Sequence, residues 1–267
     1  MGILTEIGWC DSSVNPLVGC DGCELHRCGE KDSHCYAAGL VGRYKGLPGW
    51  PVTFDAPQHF AGRLEKAIRW ADLTGKDRPE KPWLNGYPRL IFVCDLADPF
   101  TESVDPETWL TPMLPKMADS PHVYILLTKR GRRALEYWRR HDIPKNVWQG
   151  VTVTGPETIQ RIDYLLQVPG ASVRFVSLEP LLAPVYLGER VRRIDWVIVG
   201  AESGPKARKF DAGWVRSLRE QCIRRHTTIM PNTATCAFFY KQDAAAGVKI
   251  PLPLLDGKRW TEMPRIA

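Results

Sequence analysis

The sequence has no uninterrupted apolar stretch long enough to cross a bilayer. Residues 1–9 contain Glu6 and lack the basic and apolar regions of a secretory signal. The chain also has no internal repeat and no low-complexity tract. These absences argue against a membrane, secreted or repeat protein, and they predict a cytoplasmic protein without a membrane partner.

The charge balance is moderately basic. Lysine and arginine number 36 against 30 aspartate and glutamate, which gives a formal net charge of +6. Such a balance is compatible with a nucleic acid or nucleotide partner, and equally with solvated helix ends and loops. The chain of 267 residues is 44% apolar, and we interpret residues 1–267 as one domain with a cysteine-rich loop at about 10–36.

Short apolar runs recur after residue 85. They are mostly continuous, as in strands buried on both faces of a parallel sheet, and most gaps between them have room for a helix. With a short strand before Cys20, they predict an α/β fold, a partial or complete (β/α) barrel of about six to seven parallel strands. A doubly wound open sheet is the alternative. The runs cover residues 90–94, 123–127, 147–153, 173–178, 196–199 and 237–240.

Helical periodicity is clearest in two segments, 211–225 and 158–167, where apolar residues recur on one stripe. A third stripe over 109–117 is weakened by Pro112 and Pro115. We also predict a helix over 57–71.

Each predicted strand is followed by polar residues. The carboxyl ends of parallel strands form the binding site in barrels and in open α/β sheets. Lysines there suit carboxylate or phosphate groups, acids suit amines, hydroxyls or a metal, and glycine lets a ligand approach the backbone. The candidate ligand-binding residues are Asp95, Thr128, Lys129, Glu179, Gly200, Glu202, Ser203 and Lys241.

Four of the eight cysteines lie close together near the start of the chain: Cys20, Cys23, Cys28 and Cys35. Closely spaced cysteines in a reducing compartment are typical metal ligands. Four thiolates would close a structural zinc site, whereas three would hold a [4Fe–4S] cluster with one iron open. The spacing alone does not choose between zinc and iron. The scattered Cys94, Cys222 and Cys236 are predicted core residues.

The ordered motifs resemble one family. They are Trp9, NP at 15–16, GC at 19–20, CYA at 35–37, LTKR at 127–130, VWQGV at 147–151, VRF at 173–175, SLEPLL at 177–182, IDWVIVGAESG at 194–204 and FFYKQ at 238–242. Together they resemble the phage-associated three-cysteine-motif proteins, a family of unknown function that is similar to radical S-adenosylmethionine enzymes. The likeness covers nearly the whole chain and implies a radical-S-adenosylmethionine-like barrel in a bacterial or phage-infected cell.

The resemblance implies that Cys20, Cys23 and Cys35 hold a [4Fe–4S] cluster, with Cys28 as an extra cysteine. The open iron would bind the amino and carboxylate groups of S-adenosylmethionine, and reductive cleavage would give a 5′-deoxyadenosyl radical that abstracts hydrogen from a substrate. The spacing C-x2-C-x11-C departs from the C-x3-C-x2-C common among radical enzymes. If Cys28 is a fourth ligand, no iron stays open for this reaction.

Three function hypotheses follow. The first is a radical S-adenosylmethionine-like iron–sulfur enzyme that modifies or repairs a nucleic-acid base. The second is a non-catalytic zinc or iron–sulfur protein that binds nucleic acid or a host protein. The third is a metal-dependent hydrolase that uses Asp95, Glu179 and Glu202 on a barrel scaffold.

Overall fold

The computed structural model describes residues 4–30, 33–204, 206–224, 236–245 and 248–266. The strands are β1 (Ser12–Val14), β2 (Leu17–Val18), β3 (Gln58–His59), β4 (Leu90–Val93), β5 (Val123–Thr128), β6 (Val147–Thr152), β7 (Arg174–Leu178), β8 (Trp196–Gly200), β9 (Ala237–Ala245), β10 (Val248–Pro251), β11 (Leu254–Leu255) and β12 (Lys258–Arg259). The helices are α1 (Tyr36–Tyr44), α2 (Arg63–Ile68), α3 (Pro106–Trp109), α4 (Leu114–Ala118), α5 (Gly131–Trp138), α6 (Gln160–Leu165) and α7 (Ala212–Arg224). Short 3-10 turns occupy Pro82–Leu84, Thr111–Met113, Pro156–Thr158 and Gly188–Arg193.

The main sheet has eight strands in the order β1-β4-β5-β6-β7-β8-β9-β10. The first seven strands in that order pair in parallel, and β10 pairs antiparallel with β9. The α/β fold and the partial barrel are therefore confirmed. The order rises steadily and has no point where it reverses, so the doubly wound alternative is wrong. Within the described chain β1 and β10 are the two edges, and the barrel is open between them.

Different clusters of side chains pack on the two faces of the sheet. On the outer face, alternate strand residues pack against the helices in two clusters, one around Ile91, Leu126 and Leu135 and the other around Val176, Val197 and Leu218. The inner face carries a largely aromatic cluster, which includes Trp9, Phe92, Trp148, Phe175, Trp196 and Phe239. Because both faces are buried, the strands have continuous apolar runs.

The predicted strands lie where the apolar runs place them, whereas the helices are shorter. α7 matches the predicted 211–225 except at its ends, and Arg225 lies outside the described residues. The predicted stripe at 109–117 is split into α3, a 3-10 turn and α4. Proline stands at the start of each piece, where its missing N–H costs nothing, so each proline begins a new turn.

The predicted helix over 57–71 is also shortened. Its first residues form β3, which pairs with β2, and α2 begins only at Arg63 after Gly62. Among the described residues, no helix is both long and apolar enough to span a membrane.

Candidate functional site

A cavity of about 380 Å³ lies at the carboxyl ends of the parallel strands. The predicted site residues that line it are Cys20, Cys23, Cys35, Asp95, Lys129, Glu179, Glu202, Ser203 and Lys241. Three predicted residues are not part of its lining, namely Thr128, Gly200 and Cys28. The strand-end positions and three of the four clustered cysteines are thus brought to one cavity.

The four clustered cysteines have different surroundings. Cys20 is buried, Cys23 and Cys35 are half-buried, and Cys28 is exposed. Between the first two, Gly22 has a φ of 90°, and an added Cβ would lie 2.8 Å from the carbonyl oxygen of His26. Only glycine fits this turn, because a side chain would be strained and would clash with the backbone.

Contacts to the segments that follow three successive strands hold the turn that carries Cys20 and Cys23. Asp21 accepts hydrogen bonds from the backbone N–H of Ser103 at 2.9 Å and from the hydroxyl of Thr101, both after β4. The carbonyl oxygen of Gly22 accepts a hydrogen bond from Arg130, after β5, at 2.8 Å.

The third contact comes from the segment after β6, from Thr154 in the loop and from Arg161 in α6. Arg161 makes a bidentate ion pair with Glu24, at 2.9 and 2.8 Å, and Thr154 donates to the same carboxylate. Burial alone would raise the pKa of Glu24, but the hydrogen bonds and charge of Arg161 outweigh it and lower the pKa to about 2. Glu24 is therefore ionised, and its ion pair with Arg161 holds the turn against the barrel.

Asp98 organises the β5 side of this arrangement. Its carboxylate accepts hydrogen bonds from the Thr128 hydroxyl at 2.6 Å, the Lys129 backbone N–H at 2.8 Å and the Arg130 guanidinium at 3.1 Å. Thr128 is buried. The structure therefore places Thr128 in the support of the loop rather than on the cavity wall.

A second chain of contacts leads to Cys35. Asp55 lies 2.6 Å from one ring nitrogen of His26, and the other ring nitrogen lies 2.8 Å from the hydroxyl of Ser33. That hydroxyl accepts a hydrogen bond from the backbone N–H of Cys35 at 3.0 Å. This series of contacts fixes the backbone of Cys35 at the point where α1 begins.

The acids of the cavity are held by separate partners. Asp95 accepts a hydrogen bond from the side-chain amide of Asn15, and burial raises the pKa of Asp95 in spite of that bond. Glu179 pairs with Lys241 at 3.0 Å and accepts a hydrogen bond from Ser177.

Gly200 leaves room for that pair. A Cβ added at Gly200 would overlap the carboxylate of Glu179 and press on Gln242. The predicted role of Gly200 as a cavity residue thus becomes an indirect one: it makes space for Glu179.

Glu202 is clamped within its own loop. Arg208 donates from its backbone N–H and from two guanidinium nitrogens to the Glu202 carboxylate, and His34 lies 3.3 Å from it. Burial would raise the pKa of Glu202, but these bonds lower it. Ser203 follows at the cavity rim and is exposed.

The electrostatic environment of the thiols is mixed. Burial raises the pKa of Cys20 and of Cys23. The charges of Arg130 beside Cys20 and of Lys129 beside Cys23 act in the opposite direction. The Cys23 sulfur also accepts a hydrogen bond from the backbone N–H of Leu25 at 3.4 Å. These cations and this N–H would stabilise the negative charge of thiolates bound to a metal.

The donor set fits a thiolate-bound metal in its chemistry. Cys20, Cys23 and Cys35 are soft ligands that line one cavity, and a cation lies beside each of the first two. Within the described ranges, no three His, Cys, Asp or Glu side chains are arranged around one point as metal ligands. Cys20, Cys23 and Cys35 thus line one cavity without forming such a group here, and the same holds for Asp95, Glu179 and Glu202.

Several residues of this site carried no distinct sequence signal. Asp98 and Arg130 are visible as polar residues after strands, yet their pairing across two loops is not. The contact between Asp55 and His26 spans 29 residues and has no periodic signature. Cys94, Cys222 and Cys236 are buried core residues, as predicted.

The geometry defines a class of protein, an open (β/α) barrel with a cysteine-bearing loop over the carboxyl ends of its strands. The chain belongs to the family described as Protein of unknown function (DUF5131), whose model matches residues 4–264. Searches of curated proteins and of solved structures found no match.

Proposed function

We propose that the protein is an iron–sulfur enzyme of the radical S-adenosylmethionine type that acts on a nucleic-acid base or nucleotide. One observation carries the proposal: Cys20, Cys23 and Cys35 line the strand-end cavity, whereas Cys28 is exposed and is not part of its lining. Three thiolates are the ligand number that leaves one iron of a [4Fe–4S] cluster open. The phage association belongs to the same proposal.

In this proposal Cys20, Cys23 and Cys35 hold the cluster, which when bound supplies the electron for reductive cleavage of S-adenosylmethionine. Other residues of the cavity bind the small molecule and exclude water from it. Lys241 and Glu179 offer a cation and an anion side by side to a zwitterionic group. The aromatic inner cluster reaches the cavity through Trp9 and Phe92, which exclude water from its floor.

Size and charge support a nucleotide or base as substrate. A volume of about 380 Å³ lies in the range of sites for small molecules and cofactors. Lys129 and Lys249 both line the cavity, and neither makes an ion pair with any residue in the described part of the chain. Their ammonium groups are therefore placed to bind phosphate.

Anaerobic reconstitution with iron and sulfide, followed by metal analysis and a 5′-deoxyadenosine assay, tests the proposal. We expect a brown protein with bound iron that forms 5′-deoxyadenosine from S-adenosylmethionine in the presence of dithionite. The Cys20→Ala variant, treated in parallel, should give neither iron binding nor product. A colourless protein that takes up only zinc would contradict the proposal, and so would an intact cluster that yields no product.

A further inference from the structure

We infer that an exposed surface beside the cavity binds single-stranded nucleic acid. This surface, the aromatic platform, consists of Arg43, Tyr44, Lys45, Leu47 and Trp50. The inference rests on the nucleic-acid substrate of the proposed function and goes beyond it, because it assigns a place to the strand that flanks the reacting base.

Two aromatic rings form the centre of the platform. Tyr44 and Trp50 are stacked, with ring centroids 4.9 Å apart and an interplanar angle of 29°. Tyr44 is 41% exposed, whereas Trp50 is half-buried and packs against the apolar cluster that contains Cys20 and Val41. The core thus holds the pair in place from below, and an aromatic surface fixed in this way can stack a base with little further loss of entropy.

The charges of the platform are all positive. Residues 36–54 include Arg43 and Lys45 but no aspartate or glutamate. Both cations are exposed, and neither forms an ion pair with another residue of the described ranges. The next acid along the chain, Asp55, is occupied by His26 and by the backbone N–H of Gly29. Stacked rings together with unpaired cations complement the bases and phosphates of a single strand.

The platform is joined to the cavity by α1. Tyr36, at the start of this helix, lines the cavity together with Cys35, and Tyr44 ends the helix eight residues later. At 1.5 Å per residue, the platform lies about 12 Å along the helix axis from the cavity wall. A strand stacked on Tyr44 therefore lies close enough to the cavity for a neighbouring base to enter it.

Exposed apolar groups on and next to the platform in the chain would also fit other partners. Leu47 is 52% exposed, and Val52, two residues after Trp50, is 78% exposed. Exposed aromatic, leucine and lysine side chains together also suit an anionic membrane surface. Both partners are anionic, so the absence of acids does not separate them. The stacked pair held by the core favours a nucleic-acid base, and binding to a membrane surface is measured as a separate outcome of the test.

Fluorescence anisotropy on the cofactor-free protein tests the inference, with a fluorescein-labelled oligothymidylate of about 12 nucleotides, its RNA counterpart and a duplex of equal length. We expect the single strands to bind more tightly than the duplex. Tyr44→Ala should weaken binding at least about fivefold, and Tyr44→Phe should preserve it because the ring remains. Replacing Arg43 and Lys45 by glutamine should reduce the steepness of the plot of log binding constant against log salt concentration. We expect the slope to become less negative by about 0.7 for each cation removed.

Two exposed residues outside the platform provide matched controls. Tyr186 is 76% exposed, and Lys116 is exposed on α4. Tyr186→Ala and Lys116→Gln should leave both the affinity and the salt slope unchanged, and the thermal unfolding of Tyr44→Ala should match that of the wild type.

Three results would overturn the inference. They are equal loss of affinity in Tyr186→Ala, equal affinity for the duplex, and binding to phosphatidylserine vesicles in place of the oligonucleotides. Because the assay contains neither cluster nor S-adenosylmethionine, it is separate from the test of the proposed enzyme. Formation of 5′-deoxyadenosine without oligonucleotide binding would contradict the platform but not the radical reaction. Oligonucleotide binding without formation of 5′-deoxyadenosine would contradict the radical reaction but not the platform.

Discussion

The guanidinium of Arg130 lies 3.1 Å from the carboxylate of Asp98, although the two residues belong to different strand-end loops. Both side chains are largely buried, at 13% and 7% exposure. From this position Arg130 also reaches the carbonyl oxygen of Gly22 in the turn between Cys20 and Cys23. The pair thus joins the barrel to the turn that carries the candidate metal ligands.

Removal of Arg130 should destabilise the protein. Arg130→Ala leaves the buried carboxylate of Asp98 without its cation, which costs about 3 kcal/mol in free energy of unfolding. Urea unfolding of the metal-free protein under reducing conditions measures this loss. Arg132→Ala is the matched control, since Arg132 pairs with Glu136 on the exposed side of α5 and should leave the stability unchanged. Equal stability of the two variants would contradict this account of Arg130.

Two glycines should respond differently to the same substitution. In Gly150→Ala the added methyl group overlaps the ring of Phe175 inside the core, so we expect a loss of about 1–3 kcal/mol in unfolding free energy. In Gly200→Ala the methyl group meets mainly the end of the Glu179 side chain, which can move away from Lys241.

Under the proposed function, the Gly200→Ala variant should therefore keep most of its stability and lose affinity for S-adenosylmethionine. Urea unfolding together with equilibrium dialysis of the ligand separates the two effects. A Gly200→Ala variant that is as unstable as Gly150→Ala, with unchanged ligand binding, would show that the space at Gly200 serves packing alone.

Stability should fall in mild acid because of His122. This side chain is fully buried, and burial lowers its pKa, with the charge of Arg89 adding to the effect and Asp72 opposing it. The unfolded chain, with a histidine pKa of about 6.5, therefore binds the proton more tightly than the folded protein does. Stability is lost as the pH drops below about 6.5 and toward the lower pKa of the folded state.

His122→Phe should reduce this loss. Between about pH 6.5 and 5, the free energy of unfolding should fall less steeply with pH in the variant than in the wild type. The difference between the two slopes is at most about 1.4 kcal/mol per pH unit, which corresponds to one proton. Urea unfolding at a series of pH values provides the comparison. If His122→Phe keeps the wild-type slope, His122 is not the group responsible.

The strands could be predicted from the sequence because each is buried on two faces. The run at 90–94 gives β4 at Leu90–Val93, and the run at 123–127 gives β5 at Val123–Thr128. β10 was not predicted, since its sequence Val248–Pro251 is short, exposed and ends in proline. α1 was missed as well, because Gly39 and Gly42 lower its helix propensity and blur its apolar stripe.

The site was predictable in its residue types but not in its connections. Cysteine spacing marks the loop, and polar residues after strands mark the cavity wall. The anchors join residues far apart in the chain, such as Asp21 with Thr101 and Glu24 with Arg161, and local patterns carry no information on such pairs. The separation of Cys28 from the other three cysteines also depends on these anchors, because they set which thiols face the cavity.

Iron content after anaerobic reconstitution of four single cysteine variants tests the central claim most directly. The account predicts that Cys20→Ala, Cys23→Ala and Cys35→Ala lose the bound iron, whereas Cys28→Ala retains iron at the wild-type level and still forms 5′-deoxyadenosine. Loss of iron in Cys28→Ala to the same extent as in the other three would contradict it, because four cysteine ligands would leave no iron open at the cavity.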